Sequence, residues 1–411
     1  MAKEHAKFGA AAYKKETDKL PGVFPREMGP KTMEYLREIV ESGLTSNIIS
    51  RFEAELARMH GRRFCIGAPG CTQALFATML GMDFEPGDEI IASPIGDYGC
   101  TAGMHFCNYV PVFADAEPGT ALISARTIEP LITDRTRAIL CVHMLGLPCD
   151  MDPIIALARR HNLVIIEDVC QAILSTYKGR LAGTMGDVAC FSFDSEKTCP
   201  GDVGGATITD DEALRERIYN RAIARGAYME PGFGRVHSFQ GFATRMPLCS
   251  AATVLANLEL LPDHVARRRR TATMLDDLLR EIPGIIPYEV PADRTHHYWM
   301  YGFSIDPAQF RCSADEFAAQ VDSEGIAGAG VARYYLLPAS ISFLRENVES
   351  GRYPFCCPPS SRTWDYTADS CPNARDFLET WIRWTWTEKY EERHVGIMRD
   401  IIGRVAERNR A

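Results

Sequence analysis

Residues Arg137 to Val169 read "RAILCVHMLGLPCDMDPIIALARRHNLVIIEDV". Two near-continuous apolar runs, "RAILCVHML" (137–145) and "NLVIIEDV" (162–169), flank a stretch with apolar residues at helical spacing, "IIALARRH". Asp152-Pro153 supplies a polar cap and a first-turn proline for that helix. Runs apolar on both faces belong to strands covered on both sides. Strand–helix–strand at this spacing predicts a right-handed crossover in a parallel sheet. The same alternation extends from about Phe64 to Thr209, with strands predicted in "DEIIASPI" (88–95), "YVPVFADA" (109–116) and "DVACFSF" (187–193). Parallel sheets take ligands at the carboxyl ends of their strands. That rule points to His143 and Asp168, each at the end of an apolar run.

After about Arg245 the pattern changes. "LCSAATVLANLELL" and "DHVARRRRTATMLDDLLREI" predict helices separated near Pro262, followed by a strand in "HHYWMYGFSI", a helix in "SADEFAAQVDSEG" and a last helix from about Tyr390. The expected organisation is a large domain over 1–250, with an N-terminal arm, and a smaller α/β domain over 251–411. The Pro- and aromatic-rich stretch 349–367 is expected to be a loop packed near the site.

Composition narrows the function classes. The chain has 411 residues and a formal net charge of −9, which gives no footprint for nucleic acid or an acidic membrane surface. The run "ARRRR" (266–270) reads as a solvated helix face. The N-terminal stretch lacks the apolar core of a signal peptide, and no eighteen-residue window is apolar and uncharged. The fourteen cysteines include no CxxC pair, so they read as reduced, buried small hydrophobes, and no metal site is expected. A cytoplasmic protein acting on small molecules is the expectation.

"FSFDSEKTCPGDVGG" (191–205) places Lys197 in a glycine-rich turn after a strand, 29 residues beyond Asp168. Taken singly, each has an ordinary reading: a helix cap or ion pair for Asp168, a solvated loop lysine for Lys197. Together they fit pyridoxal 5′-phosphate (PLP). The aspartate keeps the pyridine nitrogen protonated, and the lysine binds the aldehyde covalently. "GAPGCTQALFATML" (67–80) turns into a helix with Thr72 as the predicted N-cap, and the free amides near Thr72 and Gln73 suit a phosphate. Ser192 is a further phosphate candidate, and Tyr98 a candidate to stack on the pyridine ring. The absence of GxGxxG argues against a nicotinamide dinucleotide.

In chain order, the stretches "SGLTSNIISRFEAELARMHG", "GCTQALFATMLGMDFEPGDEII", "ITDRTRAILCVHMLGLPCDMDPIIALARRHNLVIIEDVCQA", "YKGRLAGTMGDVACFSFDSEK" and "GFATRM" resemble the DegT/DnrJ/StrS family of PLP-dependent sugar aminotransferases. The resemblance implies the type I PLP-dependent transferase fold: a large domain with a mostly parallel sheet and a smaller C-terminal α/β domain. It implies Lys197 as the covalent anchor and Asp168 as the partner of the ring nitrogen. Gln171 is implied near the ring hydroxyl and Tyr98 on the ring face. Cys71, Thr72, Gln73 and Ser192 are implied around the phosphate. His143, Arg245 and Tyr334 are candidate substrate contacts. A homodimer is implied, with sites at the interface and "GFATRM" reaching into the partner's site. The implied reaction moves an amino group from an amino-acid donor to a keto-sugar or keto-cyclitol, as in amino-sugar or antibiotic biosynthesis. Three departures stand out: Asp202-Val203 where the family usually has Gly-Glu, Cys71 where it has Gly, and Ala243 where it has Asn. Another PLP reaction, such as an elimination, is the nearest alternative. A non-catalytic binding module is disfavoured because Lys197 and Asp168 are both present.

Overall fold

The computed structural model describes residues 20–232 and 234–411; the N-terminal stretch read above for a signal peptide lies outside them. The predicted apolar runs meet in a seven-stranded sheet. Its order is Phe64–Ala68, Gly205–Thr209, Val188–Ser192, Val164–Asp168, Thr136–Val142, Glu89–Ala92, Val110–Phe113. Pairing is parallel from Val110–Phe113 through to Val188–Ser192, while Gly205–Thr209 runs antiparallel to both its neighbours. All strands but that one therefore send their carboxyl ends to a single edge.

Burial explains the unbroken apolar runs. Ile139, Leu140, Cys141, Ile166, Val188 and Cys190 have no exposure, because helices cover both sheet faces. The crossover helix is Met151–His161, and Asn162 ends it in the left-handed region at φ 55°, a conformation asparagine tolerates. Its N-cap is Asp150, two residues earlier than the expected cap Asp152. Asp152 instead lies inside the first turn, paired with Lys178 at 2.8 Å and with Arg180. Pro153 is tolerated there because the first-turn amides lack intrahelical acceptors.

The later part of the chain forms a four-stranded antiparallel sheet, in the order Ile285–Pro287, Met300–Ile305, Trp381–Thr385, Gly330–Val331. Helices Leu261–Arg280, Ala314–Ser323 and Glu392–Arg408 pack with it around a core that includes Trp384 and Trp386. Only Met300–Ile305 of the predicted "HHYWMYGFSI" strand is extended. Before it the chain bends, with Tyr298 at φ 56°, which turns His297 and Trp299 toward the large sheet.

Two surface expectations are corrected. The basic run is not a solvated face. Helical periodicity exposes Arg267 and Arg270 but buries Arg268, whose guanidinium pairs with Glu388 at 2.9 Å and donates to the carbonyls of Tyr298 and Trp299. Arg269 donates to the carbonyls of His296 and Leu174. The 349–367 stretch lies along the outer edge of the large sheet, away from the strand that carries Asp168. Pro359 packs on Gly87, Ser361 bonds Glu89, and the Tyr366 hydroxyl donates to Pro111 O at 2.7 Å. It covers an edge strand that would otherwise expose unpaired backbone. Among the described residues, no helix is long and apolar enough to cross a membrane.

Candidate active site

Register brings the candidate residues to one edge. Val142 pairs with Asp168, and Asp168 with Cys190, so the strand ends bearing Asp168 and Ser192 lie side by side. Asp168 is 5% exposed. Its Oδ1 accepts from the Cys170 amide at 3.0 Å, and the Cys170 thiol lies against the same carboxylate. Burial raises its pKa above the ordinary carboxylate value, and Cys170, Lys197 and His143 only partly offset that. A carboxylate in this state lacks a cationic hydrogen-bond donor. A protonated ring nitrogen is such a donor, so the site fits the expected cofactor.

Lys197 sits on a hairpin-like excursion from the strand Val188–Ser192. Phe193 N bonds Gly204 O, Ser195 N bonds Asp202 O, and Lys197 N closes a turn on Asp194 O at 2.9 Å. Asp202 takes φ 68° just before Gly204 and Gly205 rejoin the sheet. The acidic neighbours Asp194 and Glu196 are exposed, and the Asp194 side chain accepts from the Glu196 amide at 2.9 Å. They shape the turn. The Lys197 ammonium instead lies 4.2 Å from the centroid of Trp299, a cation–π contact worth about 0.5–2 kcal/mol.

The helix start expected to hold a phosphate is shaped by glycine. Helix Cys71–Met82 has Gly70, not Thr72, as its N-cap, because Gly70 holds an extended backbone and its carbonyl accepts the first helical bond from Ala74. The amides of Cys71, Thr72 and Gln73 precede that bond and face outward from the helix start. Gly205 pairs with both Ala68 and Ser192 across the ladder. A Cβ at Gly205 would stand 2.4 Å from the Gly70 carbonyl and 2.6 Å from the Cys71 amide nitrogen. Only glycine lets the reversed strand approach the helix start this closely. Thr72 in turn packs on Gly99, where a Cβ would lie 2.3 Å from its Oγ1.

That contact sets Tyr98 beside this helix start. Its ring lies parallel to His105, with 6.1 Å between centroids, and is 44% exposed along a cleft of about 380 Å³ that also meets Tyr334, Tyr335 and Phe343. Tyr334 accepts from Arg383 at 3.0 Å. Gln171 is buried and uses Oε1 to accept from Leu145 N at 2.7 Å, and its NH₂ has no partner among the described residues. Arg245 is exposed on the segment 241–246, where Thr244 and Met246 are buried anchors. His143 is withdrawn from the substrate set. It has no exposure, its Nε2 lies 2.9 Å from Glu167, and its Nδ1 accepts from the Cys149 amide. Glu167 also accepts from the amides of Gly183, Met185 and Gly186, so the pair is a closed network inside the sheet.

Three supports of Lys197 escaped the sequence reading. His297 Nδ1 bonds Ile173 O at 2.7 Å and its Nε2 bonds the Thr198 hydroxyl at 2.7 Å, next to Lys197. Burial holds the imidazole neutral, so Nδ1 donates and Nε2 accepts. Trp299 walls the ammonium, and Arg26 reaches from the N-terminal side to Glu196 O while facing Glu388. The "HHYW" stretch was a visible signal, but a strand reading alternates its side chains and hides the bend.

A mostly parallel α/β sheet with one reversed strand, a lysine excursion and a buried strand-end aspartate defines the fold of PLP-dependent aminotransferases. The profile of the DegT/DnrJ/EryC1/StrS aminotransferase family matches residues 26–354, and the chain belongs to that family. It is 32% identical over 297 residues to the GDP-perosamine synthase of Caulobacter vibrioides, covering 71% of this chain and 79% of that protein. It is 29% identical over 353 residues to a putative L-glutamine:3-amino-2,3-dideoxy-scyllo-inosose aminotransferase of Streptoalloteichus tenebrarius, covering 81% of each. The PLP form of a putative sugar aminotransferase from Streptococcus pneumoniae superposes with a TM-score of 0.81 at 18% identity, over 95% of this chain and 99% of that one.

Proposed function

We propose that this chain is a PLP-dependent enzyme that transfers an amino group from an amino-acid donor to a keto-sugar or keto-cyclitol, in amino-sugar or natural-product biosynthesis. The observation that carries the reading is the convergence of Lys197, the buried Asp168 carboxylate and the first-turn amides at Cys71–Gln73 on one sheet edge. The names of the two relatives, a perosamine synthase and an aminoinosose aminotransferase, support a sugar-like acceptor.

Bound PLP supplies an electron sink that lets a carbon–hydrogen bond next to nitrogen ionise. Lys197 would hold it covalently, Asp168 would accept from its ring nitrogen, and Thr72, Gln73, the Cys71 amide and Ser192 would hold its phosphate. When displaced, the Lys197 amine takes a proton from the donor's α-carbon and returns it elsewhere, so it must work in its neutral form. The Trp299 wall excludes water from one side of that amine, and the Thr198–His297 bond fixes the backbone beside it. Tyr98 and the Gln171 NH₂ set the orientation of the ring. The cleft at Tyr98 and Tyr334 is the acceptor's place.

The reading includes a cytoplasmic homodimer with the division into 1–250 and 251–411. Exposed Phe106 and Phe242 pack on Phe76, and Tyr228, Met229 and Phe239 are exposed nearby in sequence. Such an apolar surface suits a subunit contact. The test is an assay of purified protein with amino donors and keto-sugars, with and without PLP. Aminated product that disappears in Lys197→Ala and falls at least about a hundredfold in Asp168→Asn supports the reading. Elimination products without amine transfer overturn it.

A further inference from the structure

Cys71 occupies the first turn of the helix expected to hold a phosphate, and Cys170 follows Asp168 by two residues. Their Sγ atoms lie 2.8 Å apart. Both sulfurs and an Asp168 carboxylate oxygen fall within 4.8 Å of one another. Both cysteines are half-buried, in contrast to the fully buried Cys141, Cys149, Cys190 and Cys199. The pair therefore bridges two elements far apart in sequence that hold opposite ends of one ligand: the helix start and the Asp168 loop.

We propose that Cys71 and Cys170 are an oxidisable pair that closes the site in the cofactor-free chain and is shielded when the cofactor is bound. The closing step needs a two-electron oxidant, here a hydroperoxide. The Cys170 thiolate attacks the peroxide oxygen, the O–O bond breaks, and hydroxide leaves to be protonated to water. The Cys71 thiolate then displaces the oxygen from the resulting sulfenic acid, which forms the S–S bond and releases a second water. Two thiols and one hydrogen peroxide give one disulfide and two waters. The two sulfurs are oxidised and the peroxide is reduced.

A disulfide spans about 2.05 Å, so closure draws the helix start and the Asp168 loop together by under an ångström. Functional constellations tolerate only about 0.5 Å, so a movement of that size pulls the Cys71 amide out of register with Asp168. Contact with Cys170, then burial, holds the Cys71 thiol well above its ordinary pKa, and burial raises Cys170 while contact with Cys71 and then Lys197 partly offset it. Both thiols are therefore protonated near neutrality and react slowly without a sustained oxidant.

The shielding half of the proposal rests on the PLP reading; the cross-link does not. The experiment treats full-length protein, cofactor-free or PLP-loaded, with hydrogen peroxide at mildly alkaline pH. Peptide mapping then locates disulfides, and PLP uptake is titrated by absorbance before and after dithiothreitol. Expected is a peptide pair joining Cys71 to Cys170 in the cofactor-free sample only, with PLP affinity at least about tenfold weaker until reduction. Cys170→Ala should take up PLP equally before and after peroxide; Cys71→Ala serves the same purpose if Cys170→Ala does not fold. A reduced protein that binds PLP yet never yields the Cys71–Cys170 peptide, or yields it equally fast when loaded, overturns the inference. So does a cross-linked protein that binds PLP like the reduced one. A reduced protein that takes up no PLP refutes the cofactor reading instead, and the cross-link alone then stands or falls by the mapping.

Discussion

Gly205→Ala tests the helix start at Cys71 with one methyl group. The new Cβ would meet backbone, not a flexible side chain: the Gly70 carbonyl carbon and oxygen at 2.4 Å and the Cys71 nitrogen at 2.6 Å. Contacts that close force the reversed strand and the helix start apart by about an ångström. Overpacking of this kind costs about 1–3 kcal/mol. The displaced atoms include the amide assigned to the cofactor phosphate, so part of that cost appears as lost binding. Each 1.4 kcal/mol is about a tenfold loss of affinity. Denaturant unfolding of the cofactor-free protein and PLP titration by absorbance separate the two effects. The expected outcome is a destabilisation of about 1–3 kcal/mol with PLP binding weakened about tenfold or more. Gly179→Ala is the control, since a Cβ there meets nothing within 4 Å and only its φ of 78° is strained. It should lose stability without losing PLP affinity. If Gly205→Ala keeps both stability and PLP affinity, the reasoning from close approach is wrong.

Other outcomes follow from the same contacts. Arg268→Ala leaves Glu388 buried with Arg26 at 3.6 Å as its remaining ion-pair partner among the described residues, which should cost about 3–5 kcal/mol in denaturant unfolding; the exposed Arg270→Ala should change stability by less than about 0.5 kcal/mol. Thr198→Val strands the lone pair of His297 Nε2, an expected loss of about 1–3 kcal/mol with a lower turnover that is not recovered by excess PLP. Asp276 accepts from the hydroxyls of Tyr298 and Tyr301, and burial raises its pKa to about 6. A carboxyl raised on folding favours the folded state when protonated, so its contribution is present below its unfolded pKa and lost as pH rises toward 6. Unfolding compared between wild type and Asp276→Asn should show the wild type losing ground over that window and a constant difference above it.

The fold was legible where a residue's burial follows from its immediate neighbours. Continuous runs such as "AILCV" and "VIIED" need cover on both faces, and that requirement gave the parallel order, the strand ends and Asp168. Lys197 was legible through its distance from Asp168 and its place after a strand. What was hidden depends on contacts distant in sequence. Arg268 lies in a run that reads as solvated, yet its partner Glu388 is 120 residues away. His143 ends a strand like Asp168, but Glu167, one residue before Asp168, points to the opposite face and captures it. His297 and Trp299 depend on a bend at Tyr298 that alternation does not announce. Cys71 and Cys170, 99 residues apart, became a pair only in three dimensions.

The central claim is that Lys197 is the covalent anchor of PLP. The direct measurement is borohydride reduction of the PLP-loaded protein, followed by proteolysis and mass mapping of every lysine. The account predicts a single phosphopyridoxyl group on Lys197, with no attachment in Lys197→Ala. Attachment to another lysine, such as the exposed Lys178 or the half-buried Lys389, or none at all in a folded protein, would contradict it.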